Sequence, residues 1–171
     1  MKKCALAILL VAALILSGCG GKKPHENNSE QTNSEMTVSL SIFSDGIASS
    51  GEVVVTVNIN GNPGFLTMAL TIDYDSQAMS LTEIENGKDF TDYNFVPAKE
   101  LKTGCRASWF TSSLQNYSKD GELMKLHFRL ADHADPGEYF ISIKSVDDGS
   151  VVDINKKPLT VIGEKSEVIV K

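Results

Sequence analysis

Cysteine, histidine and tryptophan are scarce in this chain: three Cys, three His and one Trp in 171 residues. That scarcity excludes a disulfide scaffold and leaves little material for a zinc site, whose ligands come mainly from Cys and His. No stretch of ten or more residues carries a 3.6-residue apolar period, which argues against a helical bundle. Basic residues are outnumbered, with 16 Lys and Arg against 22 Asp and Glu and a formal charge of −6. A nucleic-acid binder needs a dense basic face to displace phosphate counterions, so nucleic acid is not an expected partner. G-x-S-x-G, H-E-x-x-H and P-loop patterns are all missing, and most acidic residues fall in turns. The expectation is a protein that is not an enzyme and carries no cofactor or metal. What remains, 42% hydrophobic and 22% charged residues, fits one ordinary globular domain.

The chain opens on a processing signal. Lys2 and Lys3 precede an apolar run from Cys4 to Leu16, 13 residues long and short of the roughly 20 that a spanning helix needs. The tetrad Leu16-Ser17-Gly18-Cys19 resembles the lipobox of bacterial lipoproteins. That resemblance implies removal of residues 1–18 and a lipidated Cys19 as the mature N-terminus, which anchors the protein outside the cytoplasm on the cell membrane. Residues 20–35 (GGKKPHENNSEQTNSE) hold no Val, Ile, Leu, Met, Phe, Tyr or Trp, so residues 19–35 read as a lipidated Cys followed by a flexible tether. Its reach is roughly 20–24 Å as a coil and about 55 Å drawn straight. His25 falls within it. Cys105 is then the lone thiol of the folded region and reads as a small buried apolar residue.

From Met36 to Lys171 the dominant period is two residues. Val38, Leu40 and Ile42 alternate with polar neighbours, and Ser44-Asp45-Gly46 breaks that strand. Val53, Val55, Val57 and Ile59 form a second, closed by Asn60-Gly61-Asn62-Pro63-Gly64. In the third, Leu66, Met68, Leu70, Ile72 and Tyr74 share one face, and Phe65, Thr67, Ala69, Thr71 and Asp73 the other. Further strands are predicted at 81–85, 107–112, 123–130, 139–146, 159–162 and 167–170, with Gly-containing turns between several of them. Nine strands with one apolar face each describe an all-β protein, a nine-stranded β-sandwich.

The order of these elements resembles a cohesin domain, the receptor module that holds dockerin-bearing enzymes in cellulosomes. The matching segments are Val53–Ile59 with its Gly-rich turn, Leu70-Thr71-Ile72-Asp73-Tyr74-Asp75, Leu81-Thr82-Glu83-Ile84, Ser118-Lys119-Asp120-Gly121, Asp135-Pro136-Gly137-Glu138-Tyr139 and Glu164–Val170. The resemblance spans residues 36–171. It implies a jelly-roll topology, related to that of carbohydrate-binding modules, and a flat sheet face that binds dockerin helices. Carried onto this chain, the partner-binding positions are Thr67, Ala69, Thr71 and Asp73 on the third strand. Neighbouring strands are expected to add Lys125, His127 and Arg129 with one of Trp109 or Phe110. Thr67 and Ala69 stand where the family commonly has Asn and Asp.

Two of these expectations have a plain rival. Trp109 is either an interface residue or a core residue beside Phe110, and the row Lys125, His127, Arg129 is either a contact surface or a solvated strand face. Polysaccharide is a second partner class, for which Tyr93, Tyr117 and Trp109 are the candidate stacking platform, and a generic surface adhesion or assembly role is a third reading. Calcium is conceivable beside Asp73 and Asp75 or beside Asp147, Asp148 and Asp153, although no EF-hand loop occurs. The reading adopted is a lipid-anchored surface module, without catalysis, that docks a dockerin-bearing enzyme.

Overall fold

The computed structural model describes residues 36–47, 51–113, 115, 117–132, 134–147 and 149–170. The expected processing signal, Cys19, and the expected tether with His25 lie outside the described residues, as does Asp148. Eleven strands follow one another: β1 (Thr37–Ile47), β2 (Glu52–Asn60), β3 (Thr67–Tyr74), β4 (Met79–Asn86), β5 (Asn94–Val96), β6 (Cys105–Phe110), β7 (Gly121–Leu130), β8 (Gly137–Ser145), β9 (Val151–Val152), β10 (Thr160–Ile162) and β11 (Glu164–Val170). The nine predicted strands are all present. β5 and β9 are additional, and at three and two residues they are too short for a period to be read. β1 continues past the predicted break to Ile47, with a register shift between Ser44 and Ile47 where it pairs with β2.

The strands form two sheets. The first runs β10-β1-β2-β7-β4, and the second β11-β8-β3-β6-β5 with β9 beside β3. The pairing of β1 with β10 is parallel; the remaining named strand pairs are antiparallel. Alternation decides which side of each strand is buried. On β2, Val53, Val55, Val57 and Ile59 are fully buried, and on β3 Met68, Leu70, Ile72 and Tyr74 turn inward to meet them in one apolar layer. A bulge on β7 places Met124 opposite Val57 and Glu122 opposite Asn58, so Leu123 is the extra residue. Leu123 and Met124 are both buried as a result. Phe65 also breaks its predicted face: it precedes β3 and folds into the core against Phe90 and Tyr93.

Gly163 joins β10 in the first sheet to β11 in the second. A Cβ at Gly163 would collide with the carbonyl oxygen of Ile143 on β8. Only glycine lets the chain pass close enough to its neighbour to change sheets there.

Candidate functional site

The predicted binding residues do not share one surface. Thr67, Ala69, Thr71 and Asp73 point outward from β3 at the middle of the second sheet, each partly exposed. Lys125, His127 and Arg129 point outward from β7, which lies between β2 and β4 in the first sheet. They therefore occupy the opposite side of the sandwich and cannot extend a β3 face. This corrects the expectation that β7 neighbours β3. Arg129 Nη2 lies 3.2 Å from Glu52 Oε1, His127 Nε2 3.3 Å from Glu85 Oε2, and Lys125 Nζ 3.6 Å from Glu122 Oε1. The β7 row is a solvated strand face with an acidic neighbour beside each side chain, and the exposed Arg129–Glu52 pair contributes little to stability.

Trp109 is likewise corrected: it is 1% exposed, its ring lies 5.1 Å from that of Phe95, and its indole Nε1 donates to Asn86 Oδ1 at 2.9 Å. Asn86 belongs to β4, so this bond crosses between the sheets. Phe110, the next residue, points outward and is 44% exposed. The stacking platform imagined for a glycan is also dismantled. Trp109 and Tyr93 are core residues, and Tyr117 packs edge-on against Tyr93 at 5.7 Å. Burial pushes the Tyr93 hydroxyl up to about 12 despite its hydrogen bond to the Phe65 carbonyl.

Cross-strand register builds the outer face of the second sheet. Thr67 stands beside Phe110, Ala69 beside Ser108 and Thr71 beside Arg106. On the other flank Thr71 stands beside Lys144, and Asp73 beside Ser142. β5 extends the face with Asn94 beside Phe110 and Val96 beside Ser108. Its centre thus carries the small side chains of Thr67, Ala69, Thr71 and Ser108, which permit close approach of a partner. Asp73 Oδ2 accepts an ion pair from Lys144 Nζ at 2.9 Å. Beyond it, Asp73, Thr103, Phe140, Ser142 and Lys165 line a shallow depression of about 410 Å³. Lys165 there sits 5.5 Å from the centre of the Phe140 ring, within cation–π range.

The acidic turns are engaged in building loops. Asp153, 3% exposed, accepts from the backbone N–H of Asn155 at 2.8 Å and of Lys157 at 2.7 Å. Asp75 Oδ1 accepts from the N–H of Gln77. Among the described residues, no group of three or more His, Cys, Asp or Glu is arranged to hold a metal ion. Sequence reasoning missed a polar knot at one end of the sandwich. Asn62, 5% exposed, donates through Nδ2 to the Tyr117 and Lys119 carbonyls and accepts from the N–H of Gly64. Asp89 accepts from Lys119 Nζ at 2.9 Å and from the N–H of Glu122 at 3.0 Å. These bonds lower its pKa below the usual carboxylate range, with the Lys119 hydrogen bond the largest cause. Cys105 is buried, and burial pushes its thiol pKa up, the opposite of what a reactive thiolate needs.

This two-layer β-sandwich has counterparts among known proteins. The profile of the Cohesin domain family matches residues 29–165, which is most of the chain. A cohesin of Clostridium acetobutylicum shares 21% identity over 80% of this chain and 92% of its own, with a TM-score of 0.58. The cohesin in a type I cohesin–dockerin complex from Clostridium thermocellum shares 19% identity over 77% of this chain and 99% of its own, TM-score 0.58. A non-cellulosomal cohesin from the archaeon Archaeoglobus fulgidus shares 14% over 77% and 92%, TM-score 0.55. No curated protein matches the chain significantly. The fold defines a class, the jelly-roll β-sandwiches. Within that class, the chain belongs to the cohesin domain family, whose members are non-catalytic protein-binding modules.

Proposed function

We propose that this chain is a lipid-anchored docking module that takes a dockerin-bearing partner on the outer face of β8, β3 and β6. Family membership across residues 29–165 carries this reading. It is supported by the face itself, whose small central side chains suit a flat-lying partner, and by the solved cohesin–dockerin complex that shares the fold. The partner is a secreted enzyme, most simply one that degrades polysaccharide. The anchor is Cys19, on the strength of the Leu16-Ser17-Gly18-Cys19 tetrad, and it holds the module at the bacterial cell surface.

The direct test is retention of proteins from the organism's own secreted fraction on the immobilised domain, beside a cellulose and xylan retention assay. Recovery of a protein carrying a dockerin, with no glycan retention, is the expected result. Strong glycan retention with no such protein recovered transfers the function to carbohydrate binding. Thr67→Arg with Thr71→Arg is expected to abolish capture while the fold persists, because two long cations would stand in the flat centre. For the anchor, Cys19→Ser is expected to move the protein from the membrane fraction into the soluble one and to end labelling by a radioactive fatty acid.

A further inference from the structure

Two cations flank the small-residue centre of the docking face, although the chain as a whole is acidic at −6. Lys144, Thr71 and Arg106 stand in one cross-strand row over three adjacent strands. Lys144 is matched by Asp73 at 2.9 Å. Arg106 is exposed and has no ion-pair partner among the described residues. Glu100, on the loop before β6, is held by Lys102 at 2.6 Å. Asp147, exposed in the bend after β8, is three residues and roughly 10 Å past Lys144. The other acids of this face, Glu138 and Glu167, lie toward the far end of β8, where Glu167 stands opposite Phe140. At about 3.3 Å per residue they are roughly 13–20 Å along the sheet from Lys144. That exceeds the ~8 Å over which exposed charges act at physiological salt. Asp73, two positions from Thr71 on the same side of β3, is already paired with Lys144, so the Arg106 guanidinium fork is left without an ion pair among the described residues.

Four residues along the same strand, Phe110 is 44% exposed, with Val96 51% exposed nearby on β5. Arg106 and Phe110 share one side of β6 and are about 13 Å apart. Between them lie Ser108 and its neighbour Ala69, too small to hold a partner away. A helix laid along β6 rises about 1.5 Å per residue, so positions seven or eight apart on one helical face span about 10.5–12 Å.

Resting on the docking reading above, we infer that this face selects a partner helix carrying an Asp or Glu for Arg106 and an apolar side chain, seven or eight positions away, for Phe110. A guanidinium receives a carboxylate through two parallel hydrogen bonds, which a lysine cannot reproduce. A half-exposed Phe beside a flat floor is the kind of aromatic anchor that carries binding energy at interfaces.

The test uses the intact protein purified in detergent and a displayed library of dockerin modules sorted for binding to it. Retained modules are expected to carry an acidic residue and an apolar one at that spacing on the contacting helix. Against one retained module, Arg106→Glu is expected to weaken binding ten- to hundredfold and Arg106→Lys severalfold, with thermal melting unchanged. Replacing the module's acidic residue by Lys is expected to restore binding to the Arg106→Glu variant. Affinity indifferent to Arg106→Glu, or retained modules with Lys or Arg in place of the acid, would overturn the inference while leaving the docking reading intact. Retention of no dockerin at all would overturn that reading, and the inference with it.

Discussion

Replacing Trp109 by Phe removes the indole N–H that bonds Asn86 across the sandwich and leaves a part-buried amide oxygen without its donor. The expected loss is about 1–3 kcal/mol of unfolding free energy in urea, with affinity for the partner unchanged. Phe110→Ala is expected to do the reverse. Its side chain is half in solvent, so stability should move by less than about 1 kcal/mol, while partner affinity falls roughly tenfold or more. Equal effects of the two variants on affinity would contradict the assignment of inward and outward sides on β6. At Asp89 the argument is one of pH. Lys119 and the N–H of Glu122 favour its ionised form in the folded chain and lower its pKa. A carboxyl whose pKa falls on folding contributes fully above the ordinary value near 4 and loses that contribution as pH drops through the lower folded value. Asp89→Asn lacks this contribution, so the stability gap between wild type and variant should narrow as urea unfolding is repeated from pH 7 down to about pH 2. A gap independent of pH would contradict it.

At the scale of elements, the sheet change at Gly163 is the least replaceable joint. Gly163→Val places atoms against the Ile143 carbonyl and within 3.2 Å of Lys144 Cα, contacts that backbone on a paired strand cannot relieve. A destabilisation on the order of 2–4 kcal/mol is expected, read as a lowered denaturant midpoint. An unchanged midpoint would mean that β10 and β11 do not depend on this crossing. The same scale separates what the sequence could tell from what it could not. The faces of β2 and β3 were legible because each residue's side is set by its own neighbours along the strand. The sheet that β7 joins was not, since it depends on β2 and β4, both distant in the chain, flanking it. Trp109 was decidable in principle: Cys105 and Ala107 alternate with Arg106 and Ser108, which sets its parity inward. Starting that strand at Ala107 instead hid Arg106 from the candidate site.

For the molecule as a whole, a local pattern repeated along the chain was sufficient to read an all-β sandwich and its resemblance to cohesins. The polar knot of Asn62 and Asp89 was not readable, because its hydrogen bonds join residues 33 to 57 positions apart and only the closed sandwich brings them together. The two outer faces that result are chemically different. The first sheet offers Arg129 already paired with Glu52 across strands, and the second a flat centre with Phe110 exposed and Arg106 without an ion pair among the described residues. Docking on the second face is the central claim, and amide chemical-shift mapping tests it most directly. On titration with a dockerin-bearing partner, shifts are predicted at Thr67, Thr71, Arg106, Phe110 and Lys144, and none at Lys125, His127 and Arg129. Shifts confined to the β7 row, with β3 and β6 silent, would contradict the account.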